Sequence, residues 1–234
     1  VQAQRYMDRY GLTNADFAPV SVQLRSNAST NPLAWYFEKP ITIDDHQNSR
    51  WIVDPVFRLL DCCQESDGGV AILVTTEERA KDLKQIPVRI DHATQSVPFE
   101  TETVTNFYHS DLTVFDSGVH SGAELFGRTG LTPADIQVGM LYDHFTIAVF
   151  WHLESMGFCK PGEASDFIKD GHLALDGSIP LSPNGGLIGE AYIHGMNLAT
   201  EAVRQIRGTA SNQVDNVEHA LLAAGMSGAI LGRC

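Results

Sequence analysis

The chain has 234 residues, 43% of them hydrophobic, which is enough to bury a sizeable core. Its 29 acidic and 16 basic residues give a formal net charge of -13, and such a negative field repels nucleic acid and anionic membrane surfaces. No apolar stretch approaches the roughly 18 residues that span a bilayer. The first residues also lack a signal region, so we expect a soluble protein with a further segment upstream of Val1.

The four cysteines match neither a disulfide framework nor a zinc site, and a reducing cytoplasm fits them best. Adjacent Cys62 and Cys63 allow a redox pair, but small apolar residues packed near the start of a strand are the preferred interpretation. The acidic and histidine residues at 44–46 and 91–92 lack further ligands at metal-site spacing. We therefore expect no bound metal.

The first elements in chain order are helical. Apolar residues recur at helical spacing over residues 2–10, and Gly11 follows where a helix is expected to stop. Residues 13–16 and 42–45 each begin with a threonine and carry an aspartate three residues later, a pattern typical of helix starts. Between them, residues 27–32 are rich in Asn, Ser and Thr and predict a loop.

An apolar run at residues 70–74 follows an Asp-Gly-Gly turn at 67–69. Because the run would be apolar on both faces, it predicts the buried central strand of a covered sheet. Residues 75–80 then offer hydroxyl caps followed by acidic residues, which predicts a new helix.

The second half alternates strand and helix signals. Thr132 caps a helix start with Pro133 at its first position. The predicted strands are residues 140–142 and a last strand at 221–231, and the predicted helices are residues 145–156 and, after a Gly-Gly turn, 198–206, closed by Gly208. This alternation predicts an α/β layered fold.

Four segments resemble one family in their order and spacing. They are SDGGVAILV at 66–74, YDHFT at 142–146, LESMGFC at 153–159 and NGGLIGEAYIHGMN at 184–197. Together they resemble the sterol-carrier and lipid-transfer branch of the thiolases, and the likeness continues through EAVRQIRG at 201–208. The resemblance covers essentially the whole chain.

The resemblance implies a thiolase-like fold of mixed sheets covered by helices, of which this chain would be the later part only. Residues 1–84 would be the remainder of the first thiolase domain, with a covering lobe up to about residue 61 and the last strand and helix after it. Residues 85–234 would be the second domain. The nucleophilic cysteine of thiolases would then precede Val1, so Leu59, Leu60, Ile72 and Leu187 should pack against other segments or a second subunit.

Departures from the thiolase pattern point to a different reaction. Tyr192 occupies the position of the histidine that helps to hold the thioester oxygen, and His194 lies two residues beyond it. Tyr142 replaces the asparagine of the Asn-Glu-x-Phe segment, and residues 221–228 lack the acid/base cysteine. The Tyr/Tyr arrangement is similar to the thiolase-like aldolases of bacterial steroid side-chain degradation, and it argues against Claisen chemistry through an acyl-cysteine.

Retro-aldol cleavage needs a base for the β-hydroxyl and a donor for the enolate oxygen, but no nucleophile. We therefore expect Tyr142 and Tyr192 to be catalytic, because two phenols can fill those roles. The resemblance implies that His194, Gly186 and Asn197 bind the substrate. Other nearby groups have ordinary alternatives: Asp143 and Glu190 could orient a donor or lie on the surface, and His144 and His152 are interpreted as packing or dimer residues.

The favoured function is an acyl-CoA carbon–carbon lyase that splits a β-hydroxyacyl-CoA, such as one with a steroid side chain, into a ketone and a shorter acyl-CoA. Two alternatives stay open: a thiolase-type acyltransferase, and a non-catalytic acyl-CoA- or lipid-binding subunit. We expect no cofactor beyond the coenzyme A thioester of the substrate. The resemblance also implies a homodimer and a partner protein with an OB-fold and a zinc ribbon.

Overall fold

The computed structural model describes residues 1–97 and 111–234. Its helices are α1 Gln2–Tyr10, α2 Ala18–Ser29, α3 Ile43–Asn48, α4 Glu77–Ala80, α5 Asp116–Thr129, α6 Thr146–Ser155, α7 Ala164–Lys169, α8 Gly186–Gly189 and α9 Met196–Arg207. Its strands are β1 Trp51–Val53, β2 Phe57–Arg58, β3 Val88–Gln95, β4 Val138–Leu141, β5 His219–Ala224 and β6 Ser227–Arg233. Within the described ranges, no helix is long and apolar enough to cross a membrane.

The larger sheet has the strand order β3-β6-β5-β4. Strands β4 and β5 run parallel, whereas β6 pairs antiparallel with both β5 and β3. The sequence predicts one last strand over residues 221–231, which is wrong. Gly225 has a left-handed backbone with φ 74°, which L side chains rarely adopt, and the chain reverses there to form the β5-β6 hairpin.

Successive residues of the central strands face opposite sides of this sheet, as the strand period of two requires. Leu141 and Leu221 belong to the core that contains residues of α5 and α6, while Met140 and Ala220 join the core formed with α9. Helix α9 packs across β3, β4, β5 and β6, and α5 packs on β3 and β6. The sheet therefore lies between helical layers, and the predicted α/β layered fold is confirmed.

The first sixty residues pack closely on the second half of the chain. Phe17 and Tyr6 contact the ring of Phe150 edge-on, at centroid distances of 5.3 and 6.2 Å. Helix α2 also packs against α6 and α8. The predicted division after residue 84 falls just before β3 and stays a prediction.

Helix ends follow local sequence signals closely. Gly11 and Gly208 are left-handed and end α1 and α9, and the Thr42 hydroxyl accepts the Asp45 N–H at the start of α3. The predicted loop at 27–32 is wrong in its first three residues, because α2 continues to Ser29. Asn27 is buried in that helix and donates to the Leu181 carbonyl at 2.8 Å, so a tertiary contact outweighs its low helix propensity.

The predicted buried strand at residues 70–74 is wrong. The segment carries no regular secondary structure, and the exposed fractions of Ile72, Leu73 and Val74 are 44%, 79% and 69%. A strand needs neighbouring backbones to pair with, and within the described residues no strand pairs with this run. Leu59 is exposed as expected, but Leu187 is fully buried against α9 and the sheet, so its predicted packing against other segments is wrong.

Candidate active site

Two tyrosine side chains that are 50 residues apart in sequence meet at one end of the larger sheet. Tyr142 directly follows β4, and its N–H donates to the Ala223 carbonyl at 2.8 Å, which fixes it to the sheet. Tyr192 lies in the loop between α8 and α9, where its N–H donates to the Ser66 hydroxyl at 3.1 Å. The two phenol oxygens are 2.9 Å apart, within hydrogen-bond distance. Both side chains are half-buried and thus open to a ligand.

A histidine ring flanks each phenol. The centroid of His144 is 5.0 Å from that of Tyr142, and the centroid of His194 is 5.1 Å from that of Tyr192. Burial lowers the pKa of His144, which keeps that ring neutral. Sequence reasoning interpreted His144 as a packing or dimer residue, although its place two residues after Tyr142 already put it near the pair. His194 is exposed beside Tyr192, and its role in substrate binding stays a prediction.

The Asp143 carboxylate connects the Tyr142 segment to the start of α8. It is fully buried and accepts the N–H groups of Leu187 and Ile188 at 2.8 and 3.0 Å. Burial raises the pKa of Asp143 to about 7, against the lowering effect of these donors. A side chain at Gly186 would overlap this carboxylate, so the glycine permits the close approach. The role of Gly186 in substrate binding stays a prediction.

The loop that carries Tyr192 is tied at its base by polar side chains. Glu190 is buried, and its Oε2 accepts hydrogen bonds from the amides of Asn184 and Asn197. The Asn197 amide also donates to the Ala191 carbonyl at 2.9 Å. Asn197 is therefore turned toward its own loop, and its role in substrate binding stays a prediction.

The electrostatic setting keeps Tyr142 protonated. Burial raises its pKa well above the usual value near 10, and the hydrogen bond with Tyr192 raises it further. Gly195, the residue before α9, packs against the Tyr142 ring, and a Cβ there would lie 2.9 Å from Cδ2 and Cε2. Tyr142 is therefore a hydrogen-bond donor near the positive end of a helix.

Three of the four thiols, those of Cys62, Cys63 and Cys159, are not activated. Burial raises the pKa of Cys62 and of Cys63 to about 11, and that of Cys159 to about 12. A thiol with such a pKa is almost entirely protonated at neutral pH and is a poor nucleophile. Within the described part of the chain, no group of three or more His, Cys, Asp and Glu side chains is placed to hold a metal ion.

Comparison with known proteins places the chain in a family. The family described as "Thiolase C-terminal domain-like" matches residues 100–232, more than half of the chain. The chain belongs to this family. Both tyrosines of the site lie inside the matched region of this thiolase-like domain.

The relatives of this thiolase-like chain include two bacterial proteins that are much longer. It is 51% identical to the "17-hydroxy-3-oxo-4-pregnene-20-carboxyl-CoA lyase" of Mycobacterium tuberculosis (strain ATCC 25618 / H37Rv), over 98% of this chain and 60% of the relative. It is 50% identical to the "Steroid side-chain-cleaving aldolase" of Thermomonospora curvata, with the same coverage. This chain thus spans about 60% of the length of both curated relatives.

A solved structure titled "Ltp2-ChsH2(DUF35) aldolase" has the same fold as this thiolase-like chain. The TM-score is 0.95 at 48% sequence identity, over 99% of this chain and 62% of that one. The predicted resemblance to thiolase-like steroid side-chain aldolases is therefore confirmed at the level of sequence and fold.

Proposed function

We propose that this chain is the later part of an acyl-CoA carbon–carbon lyase, which cleaves a β-hydroxyacyl-CoA by a retro-aldol reaction. The observation that carries the proposal is the pair of half-buried phenols, Tyr142 and Tyr192, whose oxygens lie 2.9 Å apart. The two curated relatives are named as a lyase and an aldolase, which supports the same reaction class.

The two phenols divide the proposed reaction between them. Tyr192, as the base, removes the proton of the β-hydroxyl group. The bond between the α- and β-carbons then breaks, its electron pair forms the thioester enolate, and the β-carbon leaves as a ketone. Tyr142 donates a hydrogen bond to the charge that develops, and return of the proton to the α-carbon gives the shorter acyl-CoA.

The raised pKa of Tyr142 suits this division, because a phenol that stays protonated can donate throughout the reaction. Its oxygen lies 2.9 Å from that of Tyr192, so the base and the donor face the same substrate position. His194, beside Tyr192, is proposed to contact the substrate, and Gly186 and Asn197 to shape the binding site from behind the loop.

The substrate is proposed to be a steroid-derived acyl-CoA. The name of the M. tuberculosis relative places a hydroxyl on C17 and the thioester on C20. That hydroxyl is β to the thioester carbonyl, the relation that retro-aldol cleavage requires. We further propose a partner subunit, since the solved neighbour's title names a second component. The homodimer is proposed from the family resemblance alone.

Replacing Tyr192 by Phe tests the proposal, because it removes only the hydroxyl group. In the full-length protein, kcat for cleavage of the relative's substrate should fall by roughly 100-fold or more while KM changes little. The products are measured by chromatography of CoA thioesters. Tyr10→Phe in α1 is the control and should keep full activity. Full activity of Tyr192→Phe would contradict the assignment.

The acyltransferase alternative predicts an acyl group on a cysteine of the full-length protein, whereas the proposed lyase forms none. Cys62→Ala and Cys63→Ala should leave cleavage intact, because these thiols are protonated and no acyl-enzyme forms on them. Trapping of an acyl group on any cysteine of the full-length protein, detected by mass spectrometry, would favour the acyltransferase instead.

A further inference from the structure

Glu190 is a buried carboxylate at a place where the sequence favours a surface residue. It directly follows α8 and precedes Tyr192 by two residues, and only 7% of it is exposed. Carboxylates are rarely buried unless they are paired or hydrogen-bonded, since leaving water is costly for a charge. The contacts of Glu190 therefore show what its burial accomplishes.

Its side chain joins the two ends of the segment that carries Tyr192. Oε2 accepts from Asn184, which precedes α8, and from Asn197 in the first turn of α9, the latter at 2.9 Å. Because Asn197 also holds the Ala191 carbonyl, the intervening loop is closed at its base.

The main chain of Glu190 is held from the other side. Its carbonyl accepts the N–H of Trp35 at 2.9 Å and the side-chain amide of Gln64 at 3.3 Å. The first residue of the Tyr192 loop is therefore fixed by four donors from four separate parts of the chain. The loop cannot shift at this end without leaving buried polar atoms unpaired.

One cationic side chain lies near both Glu190 and a second buried carboxyl group. The guanidinium of Arg204 lies 4.0 Å from the Glu190 carboxylate and 3.7 Å from that of Glu201, so it faces two buried carboxyl groups. Burial raises the pKa of both. Such an arrangement is a poor route to stability, because apolar residues of similar size often pack at least as well.

We propose that Glu190 is a positioning residue, which holds the loop so that the Tyr192 phenol stays within reach of Tyr142 and of the substrate. This inference rests on the proposed function of the tyrosine pair. Glu190 itself contacts neither phenol, so it acts through the loop.

Substitutions of Glu190 in the full-length protein test this role. Glu190→Gln keeps the shape of the side chain but weakens the hydrogen bonds to Asn184 and Asn197, so kcat should fall about 10-fold. Glu190→Leu removes those hydrogen bonds, so kcat should fall about 100-fold. A small misplacement of a catalytic group produces losses in this range. The loop also carries His194, so KM can rise modestly, but the main loss should fall in kcat. Glu201→Gln is the matched control: it is equally buried and shares Arg204, but it bonds Gln205 in its own helix and should leave kcat unchanged.

A double variant separates positioning from a general structural role. If Glu190 acts through the Tyr192 hydroxyl, adding Glu190→Gln to Tyr192→Phe should lower kcat no further. A further 10-fold loss in the double variant, an effect on KM alone, or an equal loss in Glu201→Gln would each overturn the inference. If Glu190→Leu does not fold, Glu190→Gln decides.

The Tyr192→Phe single variant distinguishes the two levels of proposal. When it loses activity but Glu190→Gln does not, only the positioning role is wrong. When it keeps full activity, the proposed function is wrong and the positioning role falls with it.

Discussion

The carboxyl group of Asp143 connects the segment that carries Tyr142 to the segment that carries Tyr192. It follows Tyr142 in sequence, and it accepts the N–H groups at the start of α8, the helix that leads to Tyr192. Burial penalises its charged form and the N–H donors favour it, and burial prevails. The protonation of Asp143 is therefore coupled to folding near neutral pH.

Asp143→Asn should reveal this coupling. Between the ordinary pKa of 3.8 and the native pKa of about 7, the unfolded chain has released this proton while the native chain retains it. The native state then binds more protons, so this group makes stability fall as pH rises through that window. Asparagine cannot titrate and lacks this slope.

Denaturant unfolding of both proteins at pH 5 and pH 8 measures the effect. The free energy of unfolding of the unsubstituted protein, minus that of Asp143→Asn, should be smaller at pH 8 than at pH 5. A difference that is the same at both values would show that Asp143 is ionised throughout, with its pKa held low by α8.

At the scale of elements, α9 both closes one core and supports the site. Left-handed glycines stand at its two ends: Gly195 with φ 82° before it and Gly208 with φ 71° after it. A side chain at Gly195 would press on the Tyr142 ring, whereas Gly208 has no neighbouring atom within 4 Å of that position. The two glycines therefore have the same backbone requirement but different surroundings.

Gly195→Ala and Gly208→Ala form a matched pair. Each should lower stability by about 1–2 kcal/mol, the cost of a left-handed conformation for a residue with a Cβ. Only Gly195→Ala should also lower kcat, by about 10-fold or more, because the added methyl group displaces Tyr142 from Tyr192. Thermal unfolding and steady-state kinetics measure the two effects. Equal activity of the variants would show that the Tyr142 ring tolerates the displacement.

Helix ends were predictable from sequence because their signals are local. Gly11, Thr42 and Gly208 act through the backbone of their own or adjacent turns. The strand predicted at residues 70–74 is absent, because an apolar run becomes a strand only when another backbone pairs with it. The β5-β6 hairpin was missed because the conformation of Gly225 is not evident from an apolar pattern.

The candidate site shows the same limit at longer range. Family resemblance named Tyr142 and Tyr192, but only the structure shows that their oxygens are in contact. The burial of Asp143 and Glu190 depends on segments far away in sequence, and a strongly acidic chain offers many carboxylates that look alike. The sequence singled out these two as groups that could orient a donor, but it left a surface position equally open.

At the scale of the whole molecule, residues 72–74 of the apolar run form an exposed apolar surface. Leu73 and Val74 are mostly exposed, and Ile86 nearby in sequence is 61% exposed. An apolar surface of this kind commonly marks an interface. We expect it to be covered in a protein of the relatives' length.

Leu73→Lys tests this expectation in two settings. In the 234-residue chain the free energy of unfolding should change by less than about 0.5 kcal/mol, because the side chain is exposed. In the longer protein it should fall by about 2 kcal/mol or more, because a charge would enter an apolar interface. Leu33→Lys, at a position 67% exposed, is the control and should be neutral in both. A neutral Leu73→Lys in the longer protein would show that the run stays on the surface.

Asp61 connects the first sixty residues to the second half of the chain. Its buried carboxylate accepts Nε2–H of His46, the amide of Asn14 and the hydroxyl of Thr146, at 2.7 to 2.9 Å. Thr146 begins α6, four residues beyond Tyr142. Displacing the first sixty residues would break the hydrogen bonds of His46 and Asn14 to Asp61, so this part of the chain and α6 should unfold locally together.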